Sequence, residues 1–202
     1  MGVQIFLSTP VDYMTSKKYH WAHKLPGGVL GETGPHAVYL ALAFLKDVYD
    51  VDVRAKKLIP DYPWSDFEDF RITLVAKNGM GSVVLAYGTN QWVADIDIIG
   101  SKGILKVDLQ ARSVVIYNRP RLTAAFLGLS VLKSVLAEST AIIKNGLSHV
   151  SHGWQDAHAI GIDNFIDSIC SNKASPIVPE EAREVVRLLE MTVARLNKLA
   201  PE

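Results

Sequence analysis

The sequence predicts an α+β layer fold, with a largely antiparallel open sheet built as a meander and helices packed on one face. Three observations carry this expectation. Residues 71–76, 82–87, 92–99, 103–108 and 113–117 are strand-like runs in succession. Their connections are too short for parallel crossovers; Asn78-Gly79 is a strong hairpin signal and Ser101-Lys102-Gly103 a second glycine turn. Helical periodicity lies on either side of this block and not within it.

Taken in order, residues 3–8 are β-branched and apolar and predict a strand almost at the first residue. Residues 10–33 read as loop, because Pro10, Pro26, Gly27, Gly28 and Gly31, with Gly34 just beyond, break any period. A helix is expected from Pro35, which suits a first turn, with Ala37, Ala41, Phe44 and Val48 at helical spacing. Residues 51–59 predict a second strand, closed by Pro60, Asp61 and Pro63. Within the block, Trp92, Ala94, Ile96 and Ile98 make a dry face and place Asp95 and Asp97 towards water. Residues 82–87 are apolar on both faces: Val83, Leu85 and Tyr87 on one, Val84 and Ala86 on the other. That second face is expected to meet another copy of the sheet, giving a homo-oligomer.

The rest is helical. Residues 122–144 are weakened only by Gly128, and their apolar side chains nearly surround the axis, which points to burial or an oligomer contact. Ala159, Ile162, Phe165, Ile166 and Ile169 form one stripe, and Ala182, Val185, Val186, Leu189, Val193 and Leu196 another. The last helix should start at Pro179, with Glu180, Glu181 and Glu184 near its start and Arg195 and Lys198 near its end, in keeping with the helix dipole.

The chain has 202 residues, 49% of them apolar, enough for one core, and a single domain over 1–202 is expected. Lys plus Arg and Asp plus Glu number 21 each, so no overall field favours nucleic acid or an anionic membrane. The one cysteine, Cys170, is expected to be a small buried hydrophobe. The N-terminal residues lack a basic start followed by a long apolar run, so no signal peptide is read. Lys133 and Glu138 interrupt residues 122–143, which fall short of the roughly 20 apolar residues of a membrane span. A soluble cytoplasmic protein without nucleic-acid or membrane partners is the expectation.

Residues 20–36, His-Trp-Ala-His-Lys-Leu-Pro-Gly-Gly-Val-Leu-Gly-Glu-Thr-Gly-Pro-His, concentrate glycine, proline and titratable side chains. Glycines let a backbone approach a ligand, and loops on rigid elements carry binding residues. In a helix's first turn, the protonated form of His36 would be disfavoured by the dipole, which suits a general base. Glu32, four residues upstream, could orient the ring. The same spacing also fits a His36 that caps a helix end and a Glu32 that binds loop amides. His20 and His23 with His36, and His149, His152 and His158, form loose clusters without the cysteines or carboxylates of a metal site, so no metal is expected. Trp21 and Trp154 read as core or edge packing. Gly27, Gly28, Gly31 and Gly34 do not have the spacing of a dinucleotide fingerprint.

The run from Leu25 to His36, the helix after it, Asn78-Gly79 and Ile99-Gly100-Ser101-Lys102-Gly103 together resemble the C-terminal domain of the glucose-fructose oxidoreductase / inositol dehydrogenase (Gfo/Idh/MocA) family over nearly the whole chain. The resemblance implies an NAD(P)-dependent oxidoreductase acting on a sugar, polyol or related hydroxy compound, in which this chain supplies the substrate-side wall and the oligomerising sheet. It implies that His36 takes the hydroxyl proton as hydride leaves the substrate carbon, and that Glu32 is its acidic partner. Gly27, Gly28, Lys24 and Trp21 are the candidate substrate-binding set. NAD or NADP would be held mainly by an N-terminal Rossmann domain with a catalytic lysine, which this chain does not contain, so the isolated chain is expected to be inactive. The family usually has aspartate at the position of Glu32, and often another aspartate where Tyr39 stands. The alternative expectation is a non-catalytic ligand-binding or oligomerisation module with the same fold.

Overall fold

In a computed structural model, which describes residues 1–152 and 157–198, the chain runs β1 (Gly2–Pro10), a 3-10 turn (Trp21–Lys24), α1 (Leu30–Leu42), β2 (Val48–Lys56), β3 (Asp69–Ala76), β4 (Gly79–Thr89), β5 (Val93–Gly100), β6 (Gly103–Asp108), β7 (Ser113–Tyr117), α2 (Ala124–His152), α3 (Ala157–Cys170) and α4 (Pro179–Leu196). The fold class is α+β. The seven strands form one sheet in the order β2-β3-β4-β1-β5-β6-β7, in which β1 is parallel to β4 and antiparallel to β5.

The expected unbroken meander is therefore split. β3 and β4 form a hairpin, β5 to β7 form a meander, and β1 lies between the two. Residues 90–92 keep β4 and β5 antiparallel to each other but step across the end of β1. They can do so because β1 ends at Pro10, which has no N–H to extend the ladder, and the chain turns away with the Val11 amide bonded to the Thr89 carbonyl at 2.7 Å. Strand adjacency is the one feature that short connections do not dictate.

One face of the sheet is the core. Val3 and Ile5 of β1, Val51 and Val53 of β2, Ile72 and Leu74 of β3 and Val83 and Leu85 of β4 are buried there under Ala37, Val38 and Ala41 of α1 and Val185, Leu188 and Leu196 of α4. Alternation places these residues together, and aliphatic burial at about 25 cal/mol per Å² supplies the drive. Phe70 meets Tyr87 edge-on at 5.7 Å in the same layer. A Cβ on Gly34 would lie 3.0 Å from Leu30 and 3.1 Å from Leu189, so glycine lets α1 and α4 approach. The Arg187 guanidinium donates to the Val48 carbonyl at 2.6 Å, and Arg195 pairs with Asp50 at 2.5 Å, tying α4 to β2. α4 starts at Pro179 as the sequence indicates, but its buried stripe is Val185, Leu188, Thr192 and Leu196, with Val186 exposed.

The opposite face is partly covered by α2, which lies over β7 and buries Ser113 and Val115. Asn145 donates to the carbonyls of Ala111 and Arg112 at 3.0 and 2.8 Å, and Arg119 donates to the Ser130 hydroxyl at 2.8 Å. Ala124–Ser148 is long and apolar enough to cross a membrane, and almost none of it is buried. The expected shortfall is thus overturned by length and composition: the helix runs past residue 143, and two charges do not bring it below the requirement. Cys170 is exposed, not buried, because the apolar stripe of α3, with Ile162, Phe165, Ile166 and Ile169 exposed, has no extensive packing against any described element. Trp154 and the second histidine cluster at His149 and His152 lie outside the residues whose side chains are described.

Candidate functional site

The segment between β1 and α1 is pinned by side-chain bonds. The Thr15 hydroxyl donates to the Tyr87 carbonyl at 3.1 Å, and the Trp64 indole donates to the Thr15 carbonyl at 3.0 Å. His23 bonds the Met14 carbonyl through Nε2 at 3.2 Å, so that nitrogen carries the proton. Nδ1 of His20 accepts the Ala22 amide at 3.2 Å and caps the 3-10 turn. Both rings are therefore occupied with local structure. Among the described residues no group of three His, Cys, Asp or Glu side chains is placed to hold a metal ion.

Helix α1 begins at Leu30, five residues before the expected start at Pro35. Gly27 and Gly28 turn the chain with φ of 80° and 61°. The amides of Gly28, Leu30, Gly31 and Glu32 then bond the carbonyls three residues back, at 2.8 to 3.3 Å, and this 3-10 run leads straight into the helix. The glycines that read as breakers serve clearance instead: a Cβ on Gly31 would stand 2.7 Å from Leu25 Cβ and from the Pro26 carbonyl. Pro35 sits inside α1, and His36 is its seventh residue. The dipole argument for His36 therefore lapses, since the effect fades beyond the first turn, and Glu32 is the residue that occupies that turn.

Glu32 and His36 lie one helical turn apart on the same side of α1. His36 is exposed and Glu32 half-buried. Oε2 of Glu32 is buried with no hydrogen-bond partner, and no hydrogen bond joins Glu32 to His36 among the described residues. Thr33 bonds the Tyr87 hydroxyl. Burial pushes the Tyr87 phenol well above its ordinary value; the Thr33 bond opposes this and the Glu32 charge adds to it. Tyr39 is exposed three residues after His36.

Gly27 and Gly28 lead into α1, and Lys24 and Trp21 project from the 3-10 turn before them, both exposed. Trp21 is 56% exposed and so is not a core residue; it stacks on the His20 ring at 5.6 Å. Tyr13 lies 6.4 Å from the same His20 ring and meets Trp92 edge-on at 5.0 Å. Sequence reading missed this aromatic rim. Tyr13 and Trp92 meet because residues 90–92 step across the end of β1, and no local pattern announces that.

The amides at the start of α1, where a dinucleotide pyrophosphate would ordinarily seat, already bond to loop carbonyls. Those amides are therefore not free to receive a pyrophosphate at the start of α1. On the opposite face of the sheet, a cavity of about 530 Å³ is lined by Phe6, Asp95, Asp97, Lys106, Tyr117 and Glu138. There burial, then the charges of Asp108 and Asp97, push the Asp95 carboxyl up, while Lys106 lowers it.

No family profile and no curated protein matches this chain. At the level of fold it is similar to the WlbA dehydrogenase from Bordetella pertussis, solved in complex with NADH and UDP-GlcNAcA, with 17% identity and a TM-score of 0.67 over 98% of this chain and 54% of that one. It is also similar to UDP-N-acetylglucosamine 3-dehydrogenase GnnA from Acidithiobacillus ferrooxidans, with 14% identity and a TM-score of 0.64 over 96% and 52%. A third is the oxidoreductase TM0312 from Thermotoga maritima, with 14% identity and a TM-score of 0.60 over 96% and 51%. The chain spans about half the length of these structures. It shares the fold of that half, and the proteins it resembles are dehydrogenases of the Gfo/Idh/MocA type.

Proposed function

We propose that this chain is the C-terminal, substrate-side domain of an NAD(P)-dependent oxidoreductase of the Gfo/Idh/MocA type, acting in the cytoplasm on a sugar, polyol or related small hydroxy compound. The observation that carries this is the coverage: the fold match takes in nearly all of this chain and only half of each dehydrogenase. His36, exposed on the flank of α1, accepts the hydroxyl proton of the substrate. Glu32, one turn back with a buried unpartnered oxygen, offers an acceptor to the substrate or to the His36 ring. Trp21, Lys24 and the Gly27-Gly28 backbone form the wall beside them. NAD or NADP belongs to a separate domain, and no step through it is assigned to residues of this chain. The outer sheet face, with Phe6, Val84 and Ala86, joins two copies.

The test uses a full-length protein in which this domain accompanies its cofactor domain, assayed on a sugar and polyol panel with NAD and with NADP. His36→Ala should lower kcat/KM at least about 100-fold, the usual size of a lost general base. An unchanged rate would remove His36 from the mechanism. The isolated chain should bind no nicotinamide cofactor, so micromolar binding by calorimetry would sink the division of labour. A non-catalytic module of the same fold is the second reading, favoured by Tyr39 beside His36 and by the missing Glu32–His36 bond; substrate turnover that depends on His36 excludes it.

A further inference from the structure

Helix α2 is inside out. Beyond its first turn, where Phe126 and Leu127 are half-buried, the stripe it turns to the sheet is polar or small: Ser134 is buried, Ser130, Ala141 and Asn145 are half-buried, and Glu138 lines the cavity of about 530 Å³ beneath the helix. Arg119 bonds Ser130, and Asn145 holds the β6–β7 turn, so the polar stripe fixes the helix in place. The residues turned away are aliphatic. Leu132, Val135, Leu136, Ile142, Ile143 and Leu147 are 55%, 52%, 57%, 51%, 63% and 67% exposed.

From these positions we propose that the outward face of α2 docks on an anionic phospholipid surface, with the helix lying in the plane of the interface. Ala124–Ser148 has the length and composition of a membrane-crossing helix and is almost wholly unburied. Its polar stripe is bonded to the sheet, so it cannot pass through a bilayer without breaking those bonds; it can only lie on one. The aliphatic arc covers roughly 140° of the helix at 100° per residue, wider than the narrow seam of a two-helix contact. Between residues 124 and 148 the only acidic side chain is Glu138, on the inner stripe.

Charge complements this surface. Lys133 and Lys144 are exposed and stand three turns apart, on one edge of the arc, where their stems can run along apolar surface and their ammonium groups reach headgroups. Arg121, also exposed, precedes the helix. Aliphatic side chains edged by lysine suit the headgroup boundary, where apolar groups enter the acyl layer and ammonium groups meet phosphates. Protein interfaces are instead enriched in Trp, Tyr, Met and Arg, and the outward arc of α2 has none of these. Exposed α3 differs, since it carries Phe165, Asp163 and Asp167.

The test is flotation of the whole chain with vesicles of phosphatidylcholine alone or mixed with phosphatidylglycerol. The chain should float with the mixed vesicles about thirtyfold more than with the neutral ones, the effect expected of the two lysines near an anionic surface. Leu136→Asp with Ile143→Asp should abolish flotation while circular dichroism stays unchanged. Lys133→Glu with Lys144→Glu should remove only the preference for the anionic vesicles. Should the aspartate variant fail to fold, Leu136→Trp gives the same answer: the indole introduced there should shift its emission to the blue on mixed vesicles. The proposal is overturned by absence of flotation with both vesicles, by flotation that the aspartates do not change, or by an unshifted emission from the Leu136→Trp chain. It is equally overturned if the aspartates dissociate an oligomer in light scattering while the parent chain ignores vesicles, because the face then joins copies.

Discussion

Thr33 and Tyr87 share a hydroxyl-to-hydroxyl hydrogen bond that fastens the first turns of α1 to the buried centre of β4. Tyr87 is 1% exposed; its ring also makes a T-shaped contact with Phe70, and its carbonyl accepts the Thr15 hydroxyl. One core residue thus sets the positions of both the loop and the helix that carry the candidate site.

Burial of the Tyr87 phenol makes stability fall at high pH, and the Thr33 bond softens the effect. The Tyr87 phenol ionises near 10.0 in the unfolded chain and well above it in the fold, first because of burial. The folded chain then holds a proton that the unfolded chain has lost, so the contribution is whole below pH 10 and declines as pH rises beyond it, by up to about 1.4 kcal/mol per unit. Urea unfolding across this range should show the slope, and Tyr87→Phe should reduce it at a cost of about 1 kcal/mol at neutral pH for the lost hydrogen bond. An identical slope in the variant would assign the effect elsewhere.

Gly27 and Gly28 should respond unequally to alanine. Both have left-handed backbones, which cost an L-residue about 1–2 kcal/mol. At Gly27 the new Cβ would also press on Val193 at 3.1 Å, whereas at Gly28 nothing lies within 4 Å. Gly27→Ala should therefore destabilise by about 1–3 kcal/mol more than Gly28→Ala, the usual range for overpacking. Thermal melts of the two variants measure the difference, and equal losses would show that Val193 gives way.

Much of the fold was legible because local signals act locally. Asn78-Gly79 does join a hairpin, Pro179 does open α4, and alternation in β5 buries Ile96 and leaves Asp95 exposed. What escaped depends on distant partners. The place of β1 in the sheet follows from how Pro10 ends a ladder. The early start of α1 follows from carbonyls that receive its first amides. Glycines count as breakers in isolation, yet Gly31 and Gly34 are demanded by Leu25 and Leu189. At the site, the spacing of Glu32 and His36 was readable, but not the helix position of His36 or the meeting of Tyr13 with Trp92.

The outer sheet face should drive self-association. Phe6 is 37% exposed there beside half-buried Val84 and Ala86. Phe6→Lys should halve the mass seen by light scattering and leave the melting curve of the core little changed, since exposed substitutions usually move stability by no more than about 0.5 kcal/mol. A parent chain that is already monomeric at high concentration would contradict the interface.

Glu32 should be a residue that the fold would be better off without. Its Oε2 is buried and unpartnered, and its charge acts against ionisation of Tyr87 nearby. An unsatisfied buried acceptor costs about 1–3 kcal/mol, discounted here because Glu32 is only half-buried. Glu32→Met keeps the length of the side chain and removes both oxygens, so the isolated chain should gain about 1 kcal/mol in urea unfolding. In a protein that joins this domain to a cofactor domain, the role proposed for Glu32 predicts lower turnover from the same change. Loss of stability in Glu32→Met would mean that the carboxylate is satisfied within the fold and has no acceptor to spare.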